Sequence, residues 1–163
     1  MCALTVRKSS GFTFMELVIT MAVAAVVTSM AVPSLSSLMR NTRVKQTASD
    51  MVMSLAYARN EAINRNAQVS VVAMGTWNAG WQVIAGGTAL RQTALSGEIS
   101  VGGPASSTIT YNPDGRLAML TTLNFVFSVP GDTRPLRRCV SATLIGQPVL
   151  QTDANRDGDC TNG

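Results

Sequence analysis

Glu16 is the residue most in need of a chemical explanation. It stands near the head of residues 12–32, a run that is otherwise Phe, Leu, Ile, Val, Met and Ala with a few hydroxyls. As a helix this run spans about 31 Å, which matches a bilayer core of about 30 Å. An unpaired carboxylate there costs roughly 3 kcal/mol or more, so it needs a partner or a function. Cleavage after Gly11 would supply a partner, because it frees an α-amino group on Phe12, four residues before Glu16. Amine and carboxylate then neutralise each other, within one chain or between neighbours packed out of register.

The rest of the composition narrows the chemistry. The chain of 163 residues has no His, which removes imidazole ligands, His-based triads and the commonest general base. Glu98, Asp114 and Asp132 are isolated acids, and no nucleophile–base pair or phosphate loop stands out, so no enzyme and no cofactor are expected. The net charge of +4 includes Arg7 and Lys8, which precede the apolar run. A chain beginning at Phe12 is too weakly basic to argue for nucleic acid from charge alone. Of three cysteines, Cys2 lies before Gly11, leaving Cys139 and Cys160 as a pair. In an exported protein they read as a disulfide closing a loop of about 20 residues, worth on the order of 3 kcal/mol. In a cytosolic chain they would be two free thiols.

Two further clusters carry candidate ligands. Arg134, Arg137 and Arg138 form a basic group, read as a solvated loop or a protein contact, with weak DNA binding as the alternative. Asp153, Asn155 and Asp157, followed by Gly158, match the first half of a Ca²⁺-binding loop, but the acid required at the twelfth position would fall at residue 164. A polar turn before Cys160 is the simpler reading.

These residues need elements to position them. After Pro33, which should kink or loosen a helix, Val44, Ala48, Met51, Val52, Leu55, Ala58, Ala62 and Ile63 recur at helical spacing. Arg40, Arg43, Asp50, Ser54, Glu61 and Arg65 fall largely on the opposite face. One helix from about residue 13 to 65 follows, bent near Pro33. Strand-like runs come next at residues 69–74, 81–85, 90–94, 98–101, 108–111, 123–129, 139–144 and 149–152, punctuated by Gly, Pro, Asn and Asp. The expected fold class is α+β: a long N-terminal helix, partly transmembrane, packed on a C-terminal antiparallel β-sheet or sandwich domain.

The stretch Arg7-Lys8-Ser9-Ser10-Gly11-Phe12-Thr13-Phe14-Met15-Glu16-Leu17 resembles the prepilin peptidase site of type IV pilins and type II secretion pseudopilins. Thr-Phe-Met-Glu-Leu departs from the commoner Thr-Leu-Ile-Glu-Leu but keeps its chemistry. The resemblance implies that the peptidase cuts after Gly11, that Phe12 is N-methylated, and that Glu16 pairs with the N-terminus of an adjacent subunit during assembly. Tyr57-Ala58-Arg59-Asn60-Glu61-Ala62, the Trp77-Asn78-Ala79-Gly80-Trp81 turn and Tyr111-Asn112 with Gly115-Arg116 are similar to the H-type pseudopilins and their minor pilin relatives, the GspH/FimT grouping. The implied organisation is a leader at 1–11, a transmembrane half-helix at 12–33, an amphipathic helix at 34–65 and a periplasmic β domain at 66–163. The implied partners are other major and minor pilins or pseudopilins, the peptidase and the bacterial inner membrane.

The expected function is a minor type IV pilin that helps to initiate or assemble the pilus. The alternatives are a minor pseudopilin of type II secretion and a pilus-associated DNA receptor for transformation. Some relatives bind DNA through Gly-Arg-x-Arg near the C-terminus, whereas the matching Gly146-Gln147-Pro148-Val149 carries neither arginine.

Overall fold

The computed structural model describes residues 11–119, 122–131, 137–155 and 160, with backbone alone at 30–34 and 37. Among the described residues one helix, α1 (Phe14–Arg65), precedes eight strands: β1 (Val69–Met74), β2 (Thr76–Ala85), β3 (Thr88–Ala94), β4 (Ser100–Gly102), β5 (Thr108–Tyr111), β6 (Leu123–Ser128), β7 (Arg138–Ala142) and β8 (Pro148–Thr152). The chain forms two compact units, residues 1–39 and 40–163. Each expected strand is present, and α1 continues through Pro33 rather than stopping there.

In the first unit α1 begins with a cap. The Thr13 hydroxyl accepts the Glu16 amide at 3.2 Å, and Leu17 N–H bonds the Thr13 carbonyl. Thr13 and Glu16 therefore hold the first and last positions of a Thr-x-x-Glu capping sequence, with the acid in the first turn where the helix dipole favours it. Further along, Thr20, Thr28 and Ser29 turn their hydroxyls back onto carbonyls three or four residues earlier. That leaves no hydroxyl proton seeking water on an apolar surface. Among the described residues no helix is long and apolar enough to cross a membrane. The described side chains of the apolar stretch, residues 14–29, cover about 24 Å of helix, and the expected span to Pro33 runs beyond them.

The second unit is built around the stripe on α1. Val44, Ala48, Met51, Leu55, Ala58 and Ala62 alternate at spacings of four and three and are all fully buried, as a helix lying on a core requires. Val52 is only partly buried and Ile63 is exposed, at the margin of the stripe. Ser54 corrects the expectation that it lies on the solvated face. It is fully buried, bonds the Asp50 carbonyl, and accepts the Trp81 indole N–H at 2.9 Å. A buried indole needs an acceptor, and the helix supplies one. The helix ends at Asn66, in the left-handed region at φ 49°, with Ala67 N–H reaching the Ala62 carbonyl.

The strands make two antiparallel four-stranded sheets, ordered β3-β2-β1-β5 and β4-β6-β7-β8. Val69, Val71, Trp81, Val83, Ile109 and Tyr111 from the first sheet and Leu123, Phe125, Phe127 and Val140 from the second fill one core with the α1 stripe. Alternation in β1 and β6 is strict, with every second residue buried, as expected of strands covered on one face.

Trp77–Gly80 is not the turn its composition suggests; it lies inside β2. Trp77 packs edge-on against Phe125 with ring centroids 4.9 Å apart. The Asn78 side chain accepts the Val101 amide at 2.6 Å. Gly80, at φ 120°, lets β3 approach so closely that a Cβ there would lie 2.2 Å from the Thr93 carbonyl oxygen. The glycine that reads as a turn signal is a strand irregularity. A second close approach joins the sheets. Gly146, in the β7–β8 turn at φ 81°, leaves only 2.2 Å between a hypothetical Cβ and the Gly115 carbonyl oxygen. The same Gly115 carbonyl accepts the Arg59 Nε–H at 3.0 Å.

Candidate functional site

The residues singled out from the sequence separate into an N-terminal group and a C-terminal group. Gly11 has nothing within 4 Å of a hypothetical Cβ, and Phe12 is 77% exposed. That is the accessibility a protease needs at a scissile bond. Glu16 is exposed one helical turn on, and no ion pair to it occurs among the described residues. Around it Phe14, Met15, Leu17, Val18, Ile19, Met21, Val23, Val26 and Val27 are all exposed. A helix apolar on every side has no place in water and must be covered by lipid or by other helices. The acid therefore sits at one end of a rod whose environment is supplied by something else.

In the C-terminal group Cys139 and Cys160 are joined by a disulfide, with their Cα atoms 6.1 Å apart. The closed loop contains the whole of β8, so the bond ties the last strand of the second sheet back to β7. Arg134 and Asp157 lie outside the described residues. Arg137 and Arg138 are half-buried. Arg138 extends its guanidinium to the Thr152 hydroxyl on β8, and its Nε is buried with no hydrogen-bond partner among the described residues. That side chain is engaged across the sheet rather than held out to solvent. Asp153 is fully buried at the end of β8, its amide bonded to the Arg137 carbonyl, whereas Asn155 is exposed. The two described members of the alternative Ca²⁺ set thus occupy different environments. Among the described residues no group of three or more His, Cys, Asp or Glu is placed to hold a metal.

Sequence reasoning overlooked the structural polar groups of the core. Ser54 could have been found from its position, one helical turn before the buried Ala58. Tyr111 is fully buried, and its hydroxyl has no hydrogen-bond partner among the described residues. Burial pushes that hydroxyl's pKa above its ordinary value, with the nearby Arg59 charge opposing the shift. Nothing in the sequence marks this tyrosine as different from Tyr57.

Comparison with known proteins places this geometry. The family model described as type II transport protein GspH matches residues 47–144, more than half of the chain. The prokaryotic N-terminal methylation motif matches residues 6–32, which include Gly11, Phe12 and Glu16. No curated protein matches. Two crystal structures of the Pseudomonas aeruginosa (strain PAO1) type IV minor pilin FimU share the fold. The first, in space group P21, has TM-score 0.60 at 22% identity and covers 68% of this chain and 89% of that one. The second, in space group P65, has TM-score 0.57 at 23% identity and covers 66% and 91%. The motif on an apolar helix, the second unit and the family match agree: the chain belongs to the GspH family of type IV pilin-like minor pilins and pseudopilins.

Proposed function

We propose that this chain is a minor type IV pilin whose precursor is cut after Gly11 and N-methylated on Phe12. It waits in the bacterial inner membrane as a single-pass protein with its β domain in the periplasm. Glu16 then draws it into a growing filament by pairing with the amino terminus of an adjacent subunit. The observation that carries this reading is the exposed acid at the head of a helix apolar on every side. Thr13 already takes up the Glu16 amide, so the local helix cap does not depend on the carboxylate. The carboxylate is left for an intermolecular charge, which gains strength in a low-dielectric bundle.

The test uses the full precursor in its host. Mass spectrometry of the mature chain should find methylated Phe12 at the N-terminus. Glu16→Ala should be cleaved normally yet be absent from sheared filaments. Normal incorporation of that variant, or a mature chain starting elsewhere, contradicts the proposal. A second reading, a minor pseudopilin of type II secretion, is favoured by the match to the type II transport protein GspH family. Deletion phenotypes discriminate the two: lost twitching with secretion intact supports the pilus, and the reverse supports secretion.

A further inference from the structure

The grooves on the second unit differ in charge. Those that flank Arg43 hold both signs, because its guanidinium pairs with Glu98. Another, of about 330 Å³, opens between α1 and the start of β8 and is lined by Val52, Ala56, Arg59, Asn60, Gln147 and Pro148. No acid is among these residues, so the charge of this groove is the positive charge of Arg59. Val52, Ala56, Arg59 and Asn60 follow helical spacing along the margin of the buried stripe on α1.

Arg59 is half-buried and held in one orientation. Its Nε–H bonds the carbonyl of the buried Gly115 at 3.0 Å. That carbonyl is fixed in turn, since the Gly115 amide bonds the Asn112 carbonyl and Gly146 lies against it too closely to admit a Cβ. The anchor occupies one of the five N–H donors of the guanidinium. Among the described residues no carboxylate pairs with Arg59. The acids on neighbouring turns are engaged elsewhere: Glu61 pairs with Arg65, and Asp114 accepts the Arg116 amide. From the interior the group that meets the Arg59 charge is Tyr111, whose buried hydroxyl stays neutral. A cation drawn part-way out of water with no counter-charge calls for an anion.

We propose that this groove docks an acidic–apolar segment of another protein chain. The carboxylate of an Asp or Glu on that segment takes the two end-on Nη–H groups of Arg59 as a bidentate pair, and its apolar neighbour covers Val52, Ala56 and Pro148. A nucleic-acid backbone fits less well, because such sites gather several cations and no second Lys or Arg lines this groove. A free small acid would leave the aliphatic wall uncovered. The volume stands at the lower limit of ligand pockets, roughly 300 Å³, which suits a short segment rather than a cofactor. The contact is weak by itself and contributes orientation and specificity to a larger association. This inference stands on the groove and is independent of the choice between pilus and secretion.

The test is NMR titration of the full chain in a neutral detergent, following the Arg59 Nε–H and the side-chain amides of Asn60 and Gln147. The probe is the peptide acetyl-Leu-Glu-Leu-amide, and acetyl-Leu-Gln-Leu-amide is its uncharged control. The acidic peptide should shift these signals saturably and bind at least about tenfold more tightly than the control. Arg59→Lys keeps the charge but loses the planar pair, and should weaken binding about tenfold. Because Arg59 also holds the Gly115 carbonyl, a second variant leaves it in place. Ala56→Leu fills the groove and should remove the saturable shift, while an unchanged Arg59 Nε–H signal shows the bond to Gly115 intact. Equal responses to the two peptides, an equal response to acetate or inorganic phosphate alone, displacement of the peptide by a short DNA duplex, or unaltered binding in Ala56→Leu would each overturn the proposal.

Discussion

Breaking the Cys139–Cys160 bond should loosen one sheet before the other. The two cysteines are 21 residues apart, and constraining a loop of that size in the unfolded chain is worth about 3 kcal/mol. Against a typical domain stability of about 5–15 kcal/mol, that is about a fifth to three fifths of the total. Reduction isolates this contribution because the sulfur atoms stay in place. Replacing both by Ala also removes sulfur contacts from sites only 2% and 7% exposed, which adds about 1 kcal/mol. For a domain of this size each kcal/mol moves Tm by roughly 4 °C, so reduction should lower it by about 12 °C and the Ala pair by about 16 °C. The assay is thermal unfolding of the full chain in detergent, followed by circular dichroism with and without reductant. Hydrogen exchange supplies the spatial readout. Because the closed loop contains β8, the β8 amides that bond β7 should lose protection first while those of Val71 and Ile109 keep theirs. An unchanged Tm, or equal loss of protection in both sheets, would refute the reasoning.

Two core substitutions test the polar groups. Ser54→Ala leaves the Trp81 indole N–H buried without its acceptor, and should cost about 1–3 kcal/mol in denaturant melts. Combining it with Trp81→Phe, which removes the orphaned donor, should cost less than the sum of the two single changes. Tyr111→Phe deletes a buried hydroxyl that has no described partner, and should be neutral or stabilising by up to about 1 kcal/mol at pH 7. The sign of its pH dependence follows from the raised folded-state pKa. Tyr111 contributes stability that is fully present below its unfolded pKa of about 10 and is lost as the pH rises toward the folded value. Alkaline unfolding should therefore be shallower in Tyr111→Phe than in the parent, as judged by Tm from pH 8 to 11.

Much of this architecture was legible in the sequence because the period of apolar residues reports which face is covered. The α1 stripe from Val44 to Ala62 and the alternation of Val69, Val71 and Ala73 are direct imprints of a one-sided core. The N-terminal candidate stood out for a different reason: a carboxylate in an apolar run is costly enough to be conspicuous without any tertiary information. Reading failed where a residue's role depends on a distant partner. Gly80 resembles a turn glycine until β3 is placed against it, and Ser54 resembles a surface serine until Trp81 arrives from β2. The strand boundary at Trp77 was missed for the same reason, since the Asn78 bond to Val101 joins residues far apart in sequence. At the C-terminus, spacing suggested a shared role for Asp153 and Asn155, and burial separates them.

The contact at Gly146 gives genetics a handle on this molecule. A single methyl group at that position is a wedge between two loops, meeting the Gly115 carbonyl oxygen and the ring of the buried Tyr111. An allele such as Gly146→Ala leaves Gly11, Phe12 and Glu16 untouched, so its product keeps every residue of the N-terminal motif while its folded head is impaired. Because the lesion is steric and local rather than a lost core side chain, it is suited to a temperature-sensitive phenotype. Growth at permissive and restrictive temperatures would then separate the delivery of the subunit from the work its head performs.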